Sequence, residues 1–433
     1  MQESFLHFLW QYQYFEPHRL KTTENETVEI LNRGIHNTNA GADFEHAHVK
    51  IDQIEWQGDV EIHIKASDWQ KHQHQNNERY NRVVLHVVWE NDIPIKRADG
   101  SLIPTLELKN HVKSNIFHQY KYLSENQKDI PCEALIFEGE PLYWFMMMDK
   151  ALIQRLEKKA DLARNIWLSC EKDWEETTYR LLAQNFGFKI NSHAFLRLAE
   201  QTPLKYILKH RDNLIQIEAL LFGQAGFLEG DTQDAYFETL QKEYKFLKAK
   251  YQLDSIEKSE WNFLRLRPAN FPTIRLAQFA QLLHKNANLF SVLLYAEQFK
   301  TLKRILDADV SEYWQSHYQF GNITQEKAPS KLGKGSIENI VINTIVPLMV
   351  LYSQESKRQD LMDKAIDFLE KIPAEINHII EKWQKLGANI KNSADSQALI
   401  EQYNTSCSHK KCLECTIGVN ILGVKNKQAI LKE

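Results

Sequence analysis

Over residues 56–65 apolar and polar side chains alternate: Trp56, Gly58, Val60, Ile62 and Ile64 against Gln57, Asp59, Glu61, His63 and Lys65. A period of two is that of a strand with one apolar and one polar face. Residues 27–32 alternate likewise, residues 44–51 read as the preceding strand, and a turn around 52–55 makes the two a hairpin. Residues 82–89 are a nearly continuous apolar run around His86, the pattern of a strand covered on both sides. Residues 4–14 read as an aromatic-rich helix. Ser67-Asp68-Trp69-Gln70 has the form of a capping box, in which the serine hydroxyl and the glutamine satisfy free backbone amides at a helix start. The order is therefore α-β-β-β-α-β. From about Leu142 the apolar spacing is helical, predicting helices near 142–164, 173–185, 213–222, 232–250, 273–285, 336–355, 358–371 and 374–386. Residues 322–335, where Lys, Pro, Ser and Gly cluster, are expected to form an exposed flexible loop.

A chain of 433 residues has room for two or three domains, and its 15 glycines and 11 prolines are too few for a turn-rich β-sandwich. Nine of the 17 histidines fall in the first 90 residues, so the strand-rich start differs chemically from the helical remainder. We read an α/β N-terminal domain at 1–135, a large, mostly α-helical domain at 136–404 and a cysteine-rich metal-binding segment at 405–433. A net charge of −4 excludes a globally basic nucleic-acid coat but leaves room for a local basic groove. The first residues lack the basic and apolar regions of a signal peptide. The longest apolar stretch, residues 340–352, is too short for a bilayer and is interrupted by Asn343 and Pro347. An odd number of cysteines, five, with three crowded into residues 407–415, suits a metal cluster in a reducing compartment better than a disulfide framework. A cytoplasmic protein without a membrane span is expected. Its oligomeric state is not legible.

On the polar face of residues 57–65, alternate side chains are about 6.6 Å apart, within reach of one shared ion. A hairpin turn at 52–55 would bring Asp43 opposite residues 64–66, so that Asp43 and Glu61 converge; sharing that face requires a bulge, or Asp43 lying just outside the sheet. Paired carboxylates suit Mg²⁺ or Mn²⁺, and phosphodiester hydrolysis is the natural chemistry. His63 or Lys65 would orient or deprotonate the water, His63 with a protonation sensitive near neutral pH. Asp59 is expected to be a solvated neighbour and His86 a satisfied core histidine. His72 and His74 would diverge on a helix, and both can aim at one place only if that helix ends early; either would touch phosphate or substrate. Arg265, Arg267 and Arg275 could form a basic lip, with Arg267 and Arg275 holding the phosphate backbone.

Cys407, Cys412 and Cys415 supply three soft ligands of a second metal site; the fourth is His409 locally or Cys132 at a distance. Zinc is the default and an iron–sulfur cluster the alternative. Five lysines between residues 410 and 432 give the tail a positive balance that could lie along nucleic acid.

An acidic residue opening one strand, Glu-x-(Lys) on the next and α-β-β-β-α-β order resemble the PD-(D/E)xK nuclease core, with Ala42 where Pro is usual and His63 where Lys is. Some nucleases of that kind carry one upstream and three C-terminal cysteines around an iron–sulfur cluster. Over essentially its full length the chain also resembles an uncharacterised bacterial family, domain of unknown function 2851. The match is carried by Gly41-Ala42-Asp43-Phe44, Gly58-Asp59-Val60-Glu61-Ile62-His63, Ser67-Asp68-Trp69 with His72 and His74, and Val84-Leu85-His86-Val87-Val88. Further along it is carried by residues 218–228, residues 267–278 and the cysteine cluster. In that family the first motif usually reads Gly-Pro-Asp-Phe and the histidine after Val-Glu-x is usual, which makes His63 a family trait. The resemblance to the nuclease core implies a metal-dependent nuclease acting on nucleic acid, whereas the resemblance to the uncharacterised family implies no activity. The alternative is a catalytically inactive nucleic-acid- or protein-binding scaffold of the same fold, favoured by the absent lysine.

Overall fold

Asp52, in a left-handed conformation (φ 50°), turns the chain between two antiparallel strands, and the rest of the first unit is laid out from this hairpin. In the computed structural model residues 1–230, 233–307, 309–324, 328 and 331–423 are described. The first unit comprises residues 1–149 and the chain from Glu401 onward; the second comprises residues 150–400.

The first unit opens with α1 (Glu3–Tyr12), then β1 (Val28–Asn32), β2 (Ile35–His36), β3 (Phe44–Ile51), β4 (Ile54–Lys65), α2 (Asp68–Lys71), β5 (Val83–Glu90), β6 (Thr105–Glu107) and α3 (Ser114–Glu125). The sheet runs β1-β3-β4-β5-β6 with β2 also on β3; β1, β3 and β4 are antiparallel, whereas β4, β5 and β6 are parallel. The predicted strands are present, together with the short β2 and β6, whose two and three residues offer no periodicity to read. Phe5 of α1 stacks on Tyr120 of α3, fixing the helix over the sheet.

Two local expectations change. Ser67 makes no capping bond to α2; its backbone is already helical, and its N–H and hydroxyl both donate to Asp92. The polar face of β4 does not meet solvent either. Residues 58–63 are buried on both faces, as β5 is, so Asp59, Glu61 and His63 lie inside the fold.

The second unit is helical, as the apolar spacing predicts, with helices at Trp174–Phe186, Leu214–Gln224, Ala235–Tyr251, Pro272–Lys285, Gln359–Glu370 and His378–Lys385; Pro141–Ser169 runs into it from the first unit. Gly223 packs against the Tyr244 ring. Lys334–Ser356 is one continuous helical stretch of 23 residues, close to the predicted 336–355, with a π-helical segment at Val341–Ile345 that includes Asn343. By length and composition it could cross a membrane, but 67% of its most apolar window is buried in the fold. Of the expected flexible loop at 322–335, residues 325–327 and 329–330 lie outside the described residues; Asn322–Ile323 pairs with His317–Gln319, and a helix begins at Lys334.

Candidate functional site

The hairpin register decides where the first carboxylate falls. Ile51 pairs with Ile54 and Ala47 with Gly58, but Phe44 pairs with Val60, so β3 carries one extra residue between Phe44 and Ala47. His46 takes up that bulge at φ 60°, and its N–H donates to Asp59 Oδ1 at 3.1 Å. Asp59 is thus a buried anchor of the bulge, not the solvated neighbour expected. With a two-residue turn and a bulge, Asp43 lies opposite Glu61 and Ile62 instead of residues 64–66. The two acidic residues strap each other: the Asp43 N–H donates to Glu61 Oε2 at 3.1 Å, and the Ile62 N–H donates to Asp43 Oδ2 at 2.9 Å.

Helix α2 ends after one turn, with Gln73 in the left-handed region, so His72 and His74 both turn back toward β4. His72 Nδ1 is 3.2 Å from His63 Nε2, and His74 Nε2 is 3.2 Å from Glu61 Oε1, which is itself 3.6 Å from His63 Nε2. One ring nitrogen from each of His63, His72 and His74 lies within 4.8 Å of the other two. His72 is exposed and Asp43 is 22% exposed, so the group opens to water on that side.

Burial sets the electrostatics. Glu61 has its pKa pushed far above the usual carboxylate range, first by loss of water and then by the charge of Asp43. His63 is pushed down to about 2 by burial and by the imidazoles of His86, His74 and His72, and His86 to about 3, again chiefly by burial. The expected protonation of His63 near neutral pH therefore does not occur; it is a neutral ring. His7 differs. Burial lowers its pKa, but Asp43, 3.2 Å away, outweighs this and leaves it raised.

Among the residues the sequence reading passed over, His7 and Glu3 stand one turn apart on α1. Burial and the Asp43 charge raise the Glu3 pKa. Their i, i+4 spacing on the first helix was the available signal. His86 is fully buried, as expected of a core histidine, but it is only half satisfied: Nε2 meets His63 Nδ1 at 2.9 Å while Nδ1 has no partner. If His63 presents its Nε2 lone pair to the cluster, its Nδ1–H must donate to His86. Trp69 packs edge-on against His74 and His86, and Tyr80 stacks on His74 at 3.8 Å. An outer-shell partner of this kind typically contributes 10–100-fold in metal affinity. If the cluster holds a divalent metal, His86→Phe is expected to weaken the binding of Mn²⁺ by about that factor with the fold kept, as read by calorimetry beside circular dichroism.

Lys65 is not brought to this group: it is exposed at the end of β4, where its N–H donates to Asp68 and its charge helps hold the Asp92 pKa down. Arg267 and Arg275 belong to the second unit, Arg267 exposed and Arg275 buried, so they do not make the even basic lip expected. Cys132, Cys407, Cys412 and Cys415 all belong to the first unit, and none is in a disulfide. Burial raises the Cys132 pKa, and the nearby thiols of Cys407, Cys415 and Cys412 raise it further. Gln402 Nε2 donates to Cys415 Sγ at 3.2 Å. His409 is exposed and bonded to Ser408, and Cys170 lies in the second unit. Of the tail lysines, Lys425, Lys427 and Lys432 lie outside the described residues.

The family model described as "Protein of unknown function (DUF2851)" matches residues 3–378. No curated protein and no solved structure matches the chain.

Proposed function

This chain belongs to the DUF2851 family, and we propose that it is a divalent-metal-dependent phosphodiester hydrolase acting on nucleic acid, with a PD-(D/E)xK-like arrangement in its first unit. The observation that carries the proposal is the meeting of Asp43 and Glu61, 18 residues apart, beside three imidazoles on a side of the central strand β4 that opens to water at His72. The donor set fits a metal: Glu61, His63, His72 and His74 would hold it, with Asp43 adjoining. Mixed imidazole and carboxylate donors favour a first-row transition ion, so Mn²⁺ suits the site better than Mg²⁺. When bound, the ion would polarise a phosphodiester oxygen and lower the pKa of an attacking water. The protein's own groups orient the donors. The Ile62 N–H and His7 fix Asp43, the Asp43 N–H fixes Glu61, and His86 fixes the His63 ring. His63 offers a lone pair without the positive charge a lysine would bring.

The neutrality of His63 and the distance of Lys65 from the cluster favour a second reading, a scaffold that binds nucleic acid without cleaving it. One assay separates the two: labelled single-stranded and duplex DNA and RNA with Mn²⁺, for the wild type beside Asp43→Ala. Cleavage lost in the variant supports hydrolysis, whereas equal behaviour removes it and binding without cleavage leaves the scaffold.

For the thiol site, the four cysteines of the first unit fit a soft metal, zinc or an iron–sulfur cluster, with Cys132 as the fourth ligand in place of His409. Cys132→Ser is expected to lower the bound metal from about one site per chain to a small fraction. Elemental analysis reads the loss, and the visible absorbance of the purified protein distinguishes iron–sulfur from zinc.

A further inference from the structure

Arg275 lies within the helix Pro272–Lys285 of the second unit, only 5% exposed. Its guanidinium has neutral partners: Nη1 donates to Gln278 Oε1 at 2.9 Å, and Nη2 donates to Asn270 Oδ1 at 2.6 Å and Ser336 Oγ at 3.1 Å. Nε is buried with no acceptor among the described residues, and the Phe188 ring covers one side of the group, 4.6 Å from Cζ. Burial lowers the Arg275 pKa to about 10, and among the described residues no carboxylate acts to restore it. A buried cation without an opposite charge is costly, and proteins ordinarily pair it.

The same side chain forms part of the wall of a cavity of about 350 Å³. Phe188, Phe195 and Leu266 give the cavity apolar walls, Ser336 and Asn339 add polar ones, and the exposed Lys189 contributes a second positive charge. A cavity of this size is at the small end of those that take small molecules, which typically combine apolar walls with a few fixed polar groups.

We propose that this cavity binds a small organic anion, an apolar or aromatic body with one carboxylate or phosphate group whose oxygens accept from Arg275. The guanidinium fork matches either headgroup, and the ligand's charge supplies what the fold leaves out. Neutral hydroxyl and amide acceptors can be exchanged for an anionic oxygen, since charge-assisted hydrogen bonds are about twice as strong as neutral ones. This site is independent of the metal centre and of the hydrolase reading.

The test uses the full-length protein titrated by calorimetry, at constant ionic strength, with benzoate, phenyl phosphate and the neutral match benzyl alcohol. At least one of the two anions binds one to one, and benzyl alcohol binds at least tenfold more weakly; whichever anion binds identifies the headgroup. Arg275→Gln lowers the anion affinity at least tenfold. Because that change also removes a buried group on which folding depends, Gly335→Trp is the second variant. Gly335 is an exposed residue of the cavity wall with nothing within 4 Å of a Cβ there, so an indole added at this rim can narrow the cavity while Arg275 stays in place. Gly335→Trp must also lose the anion. Binding of neither anion, equal binding of benzyl alcohol, or wild-type affinity in either folded variant overturns the proposal.

Discussion

On the proposed hydrolase reading, Glu61→Gln is expected to abolish Mn²⁺ binding at the histidine cluster and to lower Mn²⁺-dependent cleavage by about three orders of magnitude, while the metal-free protein stays folded and gains stability at alkaline pH. The loss of activity follows from removing an oxygen donor, 3.2 Å from His74 Nε2 and 3.6 Å from His63 Nε2, that a bound cation would hold deprotonated; the loss of one strong electrostatic contact to the reacting centre typically costs a factor of 10²–10³, and loss of the ion adds to it. The gain in stability follows from the pKa. Glu61 is raised in the folded state, so its contribution to stability is fully present below the unfolded value of about 4.3 and is lost as pH rises toward the folded value. Glutamine resembles the protonated acid and suffers no such loss. Two units of this shift would be worth about 2.7 kcal/mol. His63 and His86 act in the opposite sense: their folded pKa values are depressed, so their contribution is lost as pH falls below about 6.5. The comparison is therefore made between wild type and variant at each pH, where the histidine contributions cancel. Thermal melts in EDTA at pH 5 and pH 8 should show the two proteins similar at pH 5 and the variant higher at pH 8. Added Mn²⁺ should raise only the wild type. A variant that binds Mn²⁺ as the wild type does would remove Glu61 from the site.

Gly58→Ala is the second large effect. Gly58 sits where β4 meets β5, just before the irregularity at which Asp59 pairs with Val83 and Val60 with Leu85. A Cβ at Gly58 would come within 2.4 Å of the Arg82 carbonyl oxygen and 2.5 Å of Val84 Cγ1. That carbonyl already accepts the Asp59 N–H. The methyl and the backbone cannot both keep their places, so the strands must part where Asp59, Glu61 and His63 are positioned. The expected cost is about 3 kcal/mol or more, with a melting temperature several degrees lower and cleavage reduced in proportion to the displaced site. Gly333→Ala is the control, since nothing lies within 4 Å of a Cβ there. Adding Val84→Ala removes only the side-chain contact and should restore little. A loss below about 1 kcal/mol for Gly58→Ala would mean that the backbone yields.

How much of this was legible depended on whether a residue's role is local. The alternation of β4, the apolar run of β5 and the helical spacing after Leu142 are properties of neighbouring side chains, and the elements follow them. Even the early end of α2 was readable as a condition, because two histidines two apart can share a target only off a helix. The burial of Asp59, Glu61 and His63 was not readable, since alternation shows which side chains share a face but not what covers it. The bulge at His46 was needed to bring Asp43 to Glu61 but could not be placed, because it depends on a bond to Asp59 thirteen residues away. The role of His7 depends on where α1 docks, and that of Cys132 on a partner segment more than 270 residues further on. Lys65 is the opposite case. It shares a face with Glu61, but the strand is already exposed where it sits.

The first unit is discontinuous, and this has a consequence for synthesis on the ribosome. Residues 150–400 separate Cys132 from the other three thiols. At about 5–20 residues per second, on the order of 15–60 s pass between the emergence of the sheet and that of Cys407. During that interval the nascent chain carries a nearly finished amino-terminal third whose Cys132 thiol waits for its companions. The helical insert can reach its own fold first, and any metal that needs all four sulfurs is loaded after translation has passed Cys415.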